Sequence, residues 1–441
     1  MHVSLAPECS TLVAFCLSVA VVCGGLAAPA PLTVARQVYT REPPAEIATH
    51  LDKLRKRDDR AKAILALAAR DDAAPYLRME LKTATDKFYL QDMNEALRAV
   101  EKRAYERNKA RYAGWAAARR FDLCTELLVD CPRNGDAVEL ADLALVELHK
   151  VRDEASEKLG TDRKSRIGFA GRFAQKAYGP NHLAEDTVAN PKFDVDFVLL
   201  RANVWELAQR GAVMNNSFAA VRGEVRYSPE GSCEWAQSTV LVNNAASAPE
   251  LLRAMMICDG DVVLDGRLGS RNSCVIIANG DIRSANSGGA NQSYLCAAGD
   301  INMPSDGRGN WCHAGGKVTF KTEPKPVERM KEKQKSLPFG VRFLDPREFG
   351  LEVAVQNGGV QVMKIAAGSP FARHGVEDGD VILSIDGMTA DSVATFRRHL
   401  RRGVVRESVV LGIRRGDLRT SRVVFLDGVP LPTAAPPREK K

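Results

Sequence analysis

The chain has 441 residues, of which 45% are hydrophobic and 27% are charged, so it has enough apolar material for two to four packed domains. Its 62 Lys and Arg residues against 55 Asp and Glu residues give a net charge of +7. The basic residues are scattered or lie beside acids on predicted helices, which argues against a concentrated nucleic-acid-binding patch, so no nucleic-acid partner is expected.

The N-terminus carries an uncharged apolar stretch at residues 11–28, followed by small residues and prolines. That order is typical of a signal peptide, which we place at residues 1–30. The stretch is also close to the length of a short membrane-spanning helix, so an uncleaved N-terminal anchor is the alternative. The sequence therefore predicts an exported protein, located in the periplasm or cell envelope or secreted, with no contact to a membrane except through such an anchor.

Residues 44–190 are mostly helical by pattern, because apolar residues recur every three or four positions and give each helix one buried stripe. A helix is predicted to start at Ala74-Pro75, a long one covers roughly 91–119, and another has Asp136 near its start and Gly160 after its end. The run A-x-P-Y-L-R at 73–78 resembles a HEAT-like helical pair. An ordinary helical bundle is the alternative.

From about residue 191 the composition changes to short β-branched runs separated by Gly, Asn, Ser and Asp, which indicates strands and turns. Five of these runs align with Gly fourth, a polar residue fifth and Val or Ile sixth. They are AVRGEV (220–225), ICDGDV (257–262), IANGDI (277–282), CAAGDI (296–301) and HAGGKV (313–318).

The spacing of these repeats predicts a short parallel β-solenoid over residues 191–320, with one coil for each period of about 19 residues. Val or Ile would stack inside, and the polar residue would face water. Gly would occupy a corner where neither a side chain nor a negative φ fits. The repeats resemble the polymer-forming, bactofilin-like solenoids. A structural protein that assembles through its solenoid ends is therefore one functional alternative.

The segment Asn286-Ser287-Gly288-Gly289 resembles the N-S-G-G around the nucleophile of trypsin-like serine proteases. Such a serine needs a histidine base and a carboxylate that orients it. Of the upstream histidines, His50 and His149 lie in helical patterns and His182 in a predicted loop, none in that family's context. The segment is interpreted as an outer turn between two coils. A divergent HtrA-type serine protease using Ser287 is kept as the alternative, and no other catalytic residue is predicted.

Metal sites have only weak support. Cys312-His313, with Cys296 or Cys274, could begin a zinc site, but zinc needs about four ligands and the chain has no Cys-x-x-Cys pair. Buried cysteines in stacked coils are the expectation. No metal and no cofactor are predicted.

Three acidic residues and two cysteines each have two interpretations. Asp261, Asp281 and Asp300 recur in register and could bind calcium, but capping of backbone amides is favoured. Cys124 and Cys131 could form a disulfide or pack as small apolar residues.

The C-terminal part carries the most specific pattern in the chain. A Lys-, Glu- and Pro-rich linker at 321–337 precedes a domain at 338–428, and 429–441 is predicted to be a disordered tail. The domain contains E-F-G-L at 348–351, D-G-D-V-I-L-S-I-D-G at 378–387 and the helical segment S-V-A-T-F-R-R-H-L at 392–400. These residues resemble a PDZ domain of the bacterial HtrA-like type.

Local turn chemistry agrees with this resemblance. Q-N-G-G predicts a hairpin between strands 351–356 and 359–365. Ser369-Pro370 predicts the start of a short helix, 381–385 a buried strand, and R-R-G-D-L at 414–418 a final hairpin.

The resemblance implies that the domain binds peptides by strand addition beside the strand that begins at Leu351. The backbone amides of Phe349, Gly350 and Leu351 would hold the terminal carboxylate, and the helix from Ser392 would form the other wall. The implied peptide-binding residues are Arg347, Phe349, Gly350, Leu351, Glu352, Val353, Val393 and Arg397. The alternative is that Val393 belongs to the core and the groove is closed.

Together these patterns predict a multidomain α+β protein with an N-terminal helical region, a short parallel β-solenoid and a C-terminal PDZ domain. The predicted function is binding rather than catalysis. Its expected partners are protein C-terminal peptides or unfolded segments.

Overall fold

The computed structural model of the chain describes most residues between 43 and 426. The described ranges are 43–159, 168, 171–173, 181–189, 195–207, 212–227, 233–264, 271–284, 290–304, 310–320, 337–356 and 358–426. The predicted signal peptide, the segment around Ser287, all but the last residue of the predicted linker and the predicted tail lie outside them. Within these ranges, no helix is both long enough and apolar enough to cross a membrane.

Six helices make up the N-terminal part of the described chain, as the apolar periodicity predicted. Their bounds are α1 Ala45–Lys56, α2 Arg60–Ala68, α3 Ala74–Thr83, α4 Lys87–Ala117, α5 Phe121–Val129 and α6 Asn134–Lys158. Pro75 lies in the first turn of α3, and the Asp86 carboxylate caps α4 by accepting the Tyr89 amide at 2.8 Å. The helices predicted at Ala74, over 91–119 and near Asp136 are confirmed.

The middle of the chain is a parallel β-solenoid with three faces, which confirms the predicted fold class. The first face contains β1 Asn181–Ala189, β3 Val198–Leu207, β5 Phe218–Tyr227, β7 Thr239–Val242, β10 Met255–Cys258, β13 Val275–Ala278, β16 Tyr294–Ala297 and β18 Trp311–Ala314. The second contains β8 Ala246–Ala248, β11 Val262–Leu264, β14 Ile282–Ser284, β17 Ile301–Met303 and β19 Val318–Phe320. The third contains β2 Val195–Asp196, β4 Ala212–Asn215, β6 Cys233–Ala236, β9 Glu250–Leu252, β12 Arg271–Asn272 and β15 Ala290–Asn291.

The solenoid begins earlier than the sequence predicted. β1 pairs in parallel with β3, so residues 181–189 belong to the sheet and not to the predicted helical region 44–190. The last described α-helix before the solenoid, α6, ends at Lys158. The sequence of β1 does not show the apolar pattern of the inner coils, because this strand is the outermost one and its residues Glu185 and Asp186 are exposed.

The first and second faces differ in sequence because they differ in burial. The four-residue strands β7, β10, β13 and β16 are buried at every position, since one side of each lines the solenoid interior and the other packs against helices. Strands buried on both sides read as continuous apolar runs. Strands β11, β14 and β17 alternate buried and more accessible positions, because their outer side faces water.

The repeated glycines meet at one corner of the coils, as predicted, but for a different reason. None of Gly223, Gly260, Gly280, Gly299 and Gly316 has a positive φ. Instead, a Cβ at Gly260 would overlap the carbonyl oxygen of Asn244 in the preceding coil, and one at Gly280 would lie 2.7 Å from the carbonyl carbon of Gly260. The constraint is close stacking of backbones rather than a left-handed conformation.

The aspartates that follow these glycines cap the next coil, which confirms the favoured interpretation. Asp261 accepts the amide of Asp281 at 2.9 Å, and Asp281 accepts that of Asp300 at 2.7 Å. Asp300 in turn accepts the amide of Lys317 at 2.7 Å. Each carboxylate occupies the space that the next glycine leaves, and Lys317 ends this aspartate ladder at the last described coil.

The C-terminal domain contains a six-stranded antiparallel sheet and two α-helices. Its elements are β20 Leu351–Gln356, β21 Gly359–Ile365, α7 Pro370–Arg373, β22 Val381–Ile385, β23 Met388–Thr389, α8 Val393–Val405, β24 Ser408–Arg415 and β25 Leu418–Phe425. The sheet order is β20-β21-β22-β24-β25, with β23 paired to β22. The predicted hairpins, the short helix after Ser369 and the buried strand are confirmed.

Three apolar clusters hold these parts together within one compact unit. One fills the solenoid. A second cluster contains residues of helices α4, α5 and α6, of the outer side of the first solenoid face and of the core of the C-terminal domain. A third contains residues of helices α1, α2, α3 and α4 together with Val410 and Val423 of the last hairpin. The C-terminal domain is therefore packed against both other parts.

We expect Gly260→Ala to destabilise the protein by about 1–3 kcal/mol, because the new methyl group would push the stacked coil of Asn244 outward. Gly135→Ala in α6, where a Cβ meets no atom within 4 Å, is the matched control and should be neutral or slightly stabilising. Urea midpoints of the two variants measure the difference. Equal midpoints would contradict the stacking constraint.

Candidate functional site

The candidate site is the groove between β20 and the N-terminal part of α8. β20 is the last strand of its sheet and pairs only with β21 among the described strands, so its other edge is open to a further strand. Along β20, Leu351 is buried, Val353 is half-buried and Val355 is 63% exposed. Val393, half-buried, stands in the first turn of α8. The groove thus has an apolar floor and an unpaired strand edge, which are what strand addition requires.

The loop at the end of this groove is held in a fixed shape. Residues Pro346–Phe349 form a 3-10 turn that the Asp345 carboxylate caps by accepting the Arg347 amide at 2.9 Å. Gly350 follows at φ 70°, and a Cβ there would meet the Cβ of Ala366 at 2.7 Å. Glycine is required at 350 for both reasons. The Gly350 amide donates to the Arg347 carbonyl at 3.0 Å within this turn.

A comparison with known families decides the nature of this domain. The sequence model of the PDZ domain family matches residues 348–423. Residues 348–423 form a PDZ domain. Over 66 residues the chain is also 33% identical to a Synechocystis protein named "Putative serine protease HhoA". That match covers 15% of this chain and 17% of the relative, so the similarity extends over a domain and not over the whole protein.

The predicted peptide-binding residues on the loop and on β20 differ in exposure. Phe349 and Leu351 are buried, and the Phe349 ring packs edge-on against the Phe371 ring, with centroids 6.5 Å apart. Glu352 is exposed on β20. Their part in peptide binding stays a prediction, as does that of the loop amides.

Two predicted arginines have other partners. Arg347 is exposed, and its guanidinium binds Asp345 at 2.5–3.1 Å. Burial raises the pKa of Asp345, but the hydrogen bonds from Arg347 and the charge of Arg397 bring it below its usual range. Arg397 lies against the solenoid, where it donates to Asp259 at 2.9 Å. Its guanidinium is therefore committed to the solenoid, and a contact with peptide stays a prediction.

The helix that forms the groove wall is anchored by a buried ionic network. Arg401, on α8, is fully buried and donates to Glu126 of α5 at 3.2 Å and to Asp259 of the solenoid. Glu126 also accepts from Arg222 of β5 at 2.6 Å and from Asn243 at 3.0 Å. We call these five residues the junction network. It joins the helical region, the solenoid and the PDZ domain at one point.

The groove loop is tied to the same central helix. Asp122, one turn before Glu126 on α5, accepts the Leu344 amide at 2.6 Å and pairs with Arg120 at 3.2 Å. Arg120 also binds Glu348, in the groove loop, at 2.8 Å. Burial raises the pKa of Asp122, but the charges of Arg120 and Arg401 outweigh it and hold the pKa below its usual range. Asp122 is therefore a buried anion that fixes the approach to the loop.

A neutral histidine packs on the other side of α8. Burial and the charge of neighbouring Arg398 lower the pKa of His399 to about 4, although a backbone hydrogen bond with Thr389 acts in the opposite direction. The imidazole is therefore uncharged at neutral pH and packs as a polar core residue.

Sequence reasoning missed the junction network. The one signal in the sequence is the pair Asp122 and Glu126 inside the apolar run F-D-L-C-T-E-L-L, where two carboxylates lie on a helix that is buried over 121–128. A carboxylate in such a place needs a cation, but the sequence does not tell which arginine supplies it.

The metal and disulfide alternatives find no support in the described residues. No group of three His, Cys, Asp or Glu side chains there could hold a metal ion. Cys312 and His313 are consecutive in β18, so they point to opposite sides of the sheet. Cys124 and Cys131 are buried free thiols and form no disulfide with each other. Cys131 also contacts the Tyr105 hydroxyl at 3.1 Å and donates to the Arg133 carbonyl at 3.2 Å.

We expect Arg401→Met to lower the free energy of unfolding by about 3 kcal/mol, because Glu126 and Asp259 would lose a buried cation. Arg398→Met, on the same helix and with no ion pair among the described residues, should change it by less than about 0.5 kcal/mol. Urea unfolding followed by far-UV circular dichroism compares the two. Similar losses in both variants would mean that the junction network does not anchor α8.

Proposed function

We propose that the protein is an exported binding or scaffold protein whose PDZ domain captures the C-terminal segments of other proteins, or exposed strands, by strand addition. The helical region and the solenoid hold that domain in a fixed orientation. PDZ domains generally bind peptides, which is consistent with protein partners.

The observation that carries the proposal is the open edge of β20 beside the accessible valines Val353 and Val355. An added strand would pair with this edge and bury alternate apolar side chains on the groove floor. Gly350 sets the turn of the loop at the end of the groove. Its own N–H is hydrogen-bonded to the Arg347 carbonyl, so a terminal carboxylate would be held by other backbone N–H groups there. The groove has the right chemistry for an extended peptide with apolar residues at alternate positions and a free C-terminus.

Export is a further part of the proposal. It rests on the uncharged apolar stretch at residues 11–28 and the small residues after it. N-terminal sequencing of the protein recovered from fractionated cells tests it. A native N-terminus in the cytoplasmic fraction would contradict export.

A divergent serine protease is the second candidate, supported by N-S-G-G and by the name of the matched relative. The residues that the structure describes between 181 and 320 argue against a protease. They form a parallel solenoid and not the two antiparallel barrels that position a trypsin-like triad. We expect casein hydrolysis by the purified chain to be equal in the wild type and Ser287→Ala. Hydrolysis that disappears with Ser287→Ala would establish the protease instead.

Assembly through the solenoid ends is less favoured. At the last described coil Lys317 replaces the aspartate that would cap a following coil, and charged residues on terminal strands discourage further pairing. At the other end, β1 exposes Glu185 and Asp186. Concentration-dependent filaments in sedimentation would reverse this preference.

For peptide binding, the sharpest test compares Val355→Ser with Leu418→Ser. Both side chains are exposed apolar residues on the PDZ sheet, 63% and 70% respectively, but Leu418 lies on the last strand, away from the groove. A peptide selected on an array and measured by fluorescence polarisation should bind Val355→Ser about fivefold more weakly, because part of an apolar contact is lost. Leu418→Ser should bind like the wild type.

The same peptide with an amidated C-terminus provides the second arm. Loss of the carboxylate should weaken binding by about tenfold, since charge-assisted hydrogen bonds to the loop would be lost. Equal peptide affinities of Val355→Ser and Leu418→Ser, together with no effect of amidation on the affinity, would exclude the groove as the peptide site.

A further inference from the structure

A cleft of about 560 Å³ lies on the side of the PDZ domain that faces the N-terminal helices. Its walls come from α4 and the turn before α3 on one side and from α7, β25 and the end of α8 on the other. This volume is in the range of small-molecule sites, which occur preferentially at domain interfaces. The cleft is separate from the β20 groove in its lining residues.

Four arginines and four carboxylates line the cleft, and each carboxylate has an arginine partner: Arg107, Arg111, Arg373 and Arg406 against Asp71, Asp72, Glu101 and Glu407. Arg70, which is outside the lining, binds Asp72 at 2.9 Å. Asp71 is bound by Arg107 at 2.8 Å and by Arg103 at 2.9 Å. Glu407 is bound by Arg107 at 2.5 Å and lies 3.4 Å from Arg111. Asp71 and Glu407 therefore each have two guanidinium partners, and the charge of each is already balanced.

The remaining arginines keep donors for another acceptor. Arg406 meets Glu101 only at 3.8 Å, and Glu101 is also paired with Arg78 at 3.4 Å. Arg373 is exposed and takes part in no ion pair among the described residues. A guanidinium has five N–H donors, and pairs at 3.4–3.8 Å are too long for good hydrogen bonds. Arg111, Arg373 and Arg406 therefore present unused donors to one cleft.

The floor of the cleft is apolar. Val100 and Ala104 of α4 and Phe425 of β25 line it, and the Phe425 ring lies 5.5 Å from the imidazole of His374. An inorganic anion would contact only the arginines. A molecule that carries an anionic group on an apolar body would contact both the arginines and the floor.

We propose that this cleft binds a small organic anion, in which a phosphate or carboxylate group accepts hydrogen bonds from Arg111, Arg373 and Arg406 and an apolar body lies against Val100 and Phe425. The ligand bridges the helical region and the PDZ domain and stabilises their contact, because it binds only the folded arrangement. The site is independent of peptide binding at β20.

Isothermal titration calorimetry of the purified chain with phenyl phosphate and with phenylacetate tests the proposal and distinguishes phosphate from carboxylate. At least one probe should bind saturably with a dissociation constant below about 1 mM, and more tightly than inorganic phosphate. Absence of saturable binding for both probes up to about 10 mM would overturn the proposal.

Two variants assign the binding to the cleft. Arg373→Glu alters an exposed side chain without an ion pair, so the fold is preserved, and the affinity should fall by about tenfold or more. Arg406→Gln should act in the same direction. Arg283→Glu is the charge control, because it makes the same charge change on an exposed arginine of the solenoid whose nearest carboxylate, Asp261, is 3.8 Å away.

The control should bind the probe like the wild type. If Arg283→Glu weakens binding as much as Arg373→Glu, the attraction is a property of the net charge and not of the cleft. If neither cleft variant changes the affinity, the probe binds elsewhere. Either outcome would refute the proposed site, while the peptide measurement at β20 would stand unaffected.

Discussion

The buried contact among Glu126, Arg401 and Asp259 is the interaction on which the arrangement of the whole molecule depends. Each of the three residues comes from a different part of the chain, and each is excluded from water. Taking a charge out of water is costly unless partners replace the lost hydration. The helical region, the solenoid and the PDZ domain must therefore meet in this one geometry for the buried Arg401 to have both of its carboxylate partners.

This constraint bears directly on the peptide groove. α8 carries both Arg401, which enters the junction network, and, in its first turn, the half-buried Val393. Asp122 and Arg120 fix the segment that leads into the groove loop. The α8 wall and the loop at the end of the groove are thus held by α5 and the residue before it, outside the PDZ domain itself. A groove held in this way needs little rearrangement, and preorganised sites lose less conformational freedom on binding a ligand.

The solenoid supplies the surface against which the helices and the PDZ helix α8 pack. Its first face is buried on both sides because the helices cover it, and Asp259 and Asn243 stand at its corner where α5 and α8 meet. Glycine at the corner lets neighbouring coils approach, and the aspartate that follows caps the next coil. The polar side chains that line this corner are therefore mostly occupied with stacking or with holding the PDZ helix.

The sequence by itself determined what depends on neighbours along the chain. The helical periodicity, the glycine-aspartate repeat and the turns of the PDZ domain fixed the three folds, since each follows from local spacing and backbone chemistry. Only the tertiary structure decided why the corner glycines are needed, where the solenoid begins, and which charges meet. Arg397 and Arg401 have solenoid partners about 140 residues away in the chain. A pairing between distant residues leaves no trace in local spacing, because burial and geometry, rather than propensity, choose the partner.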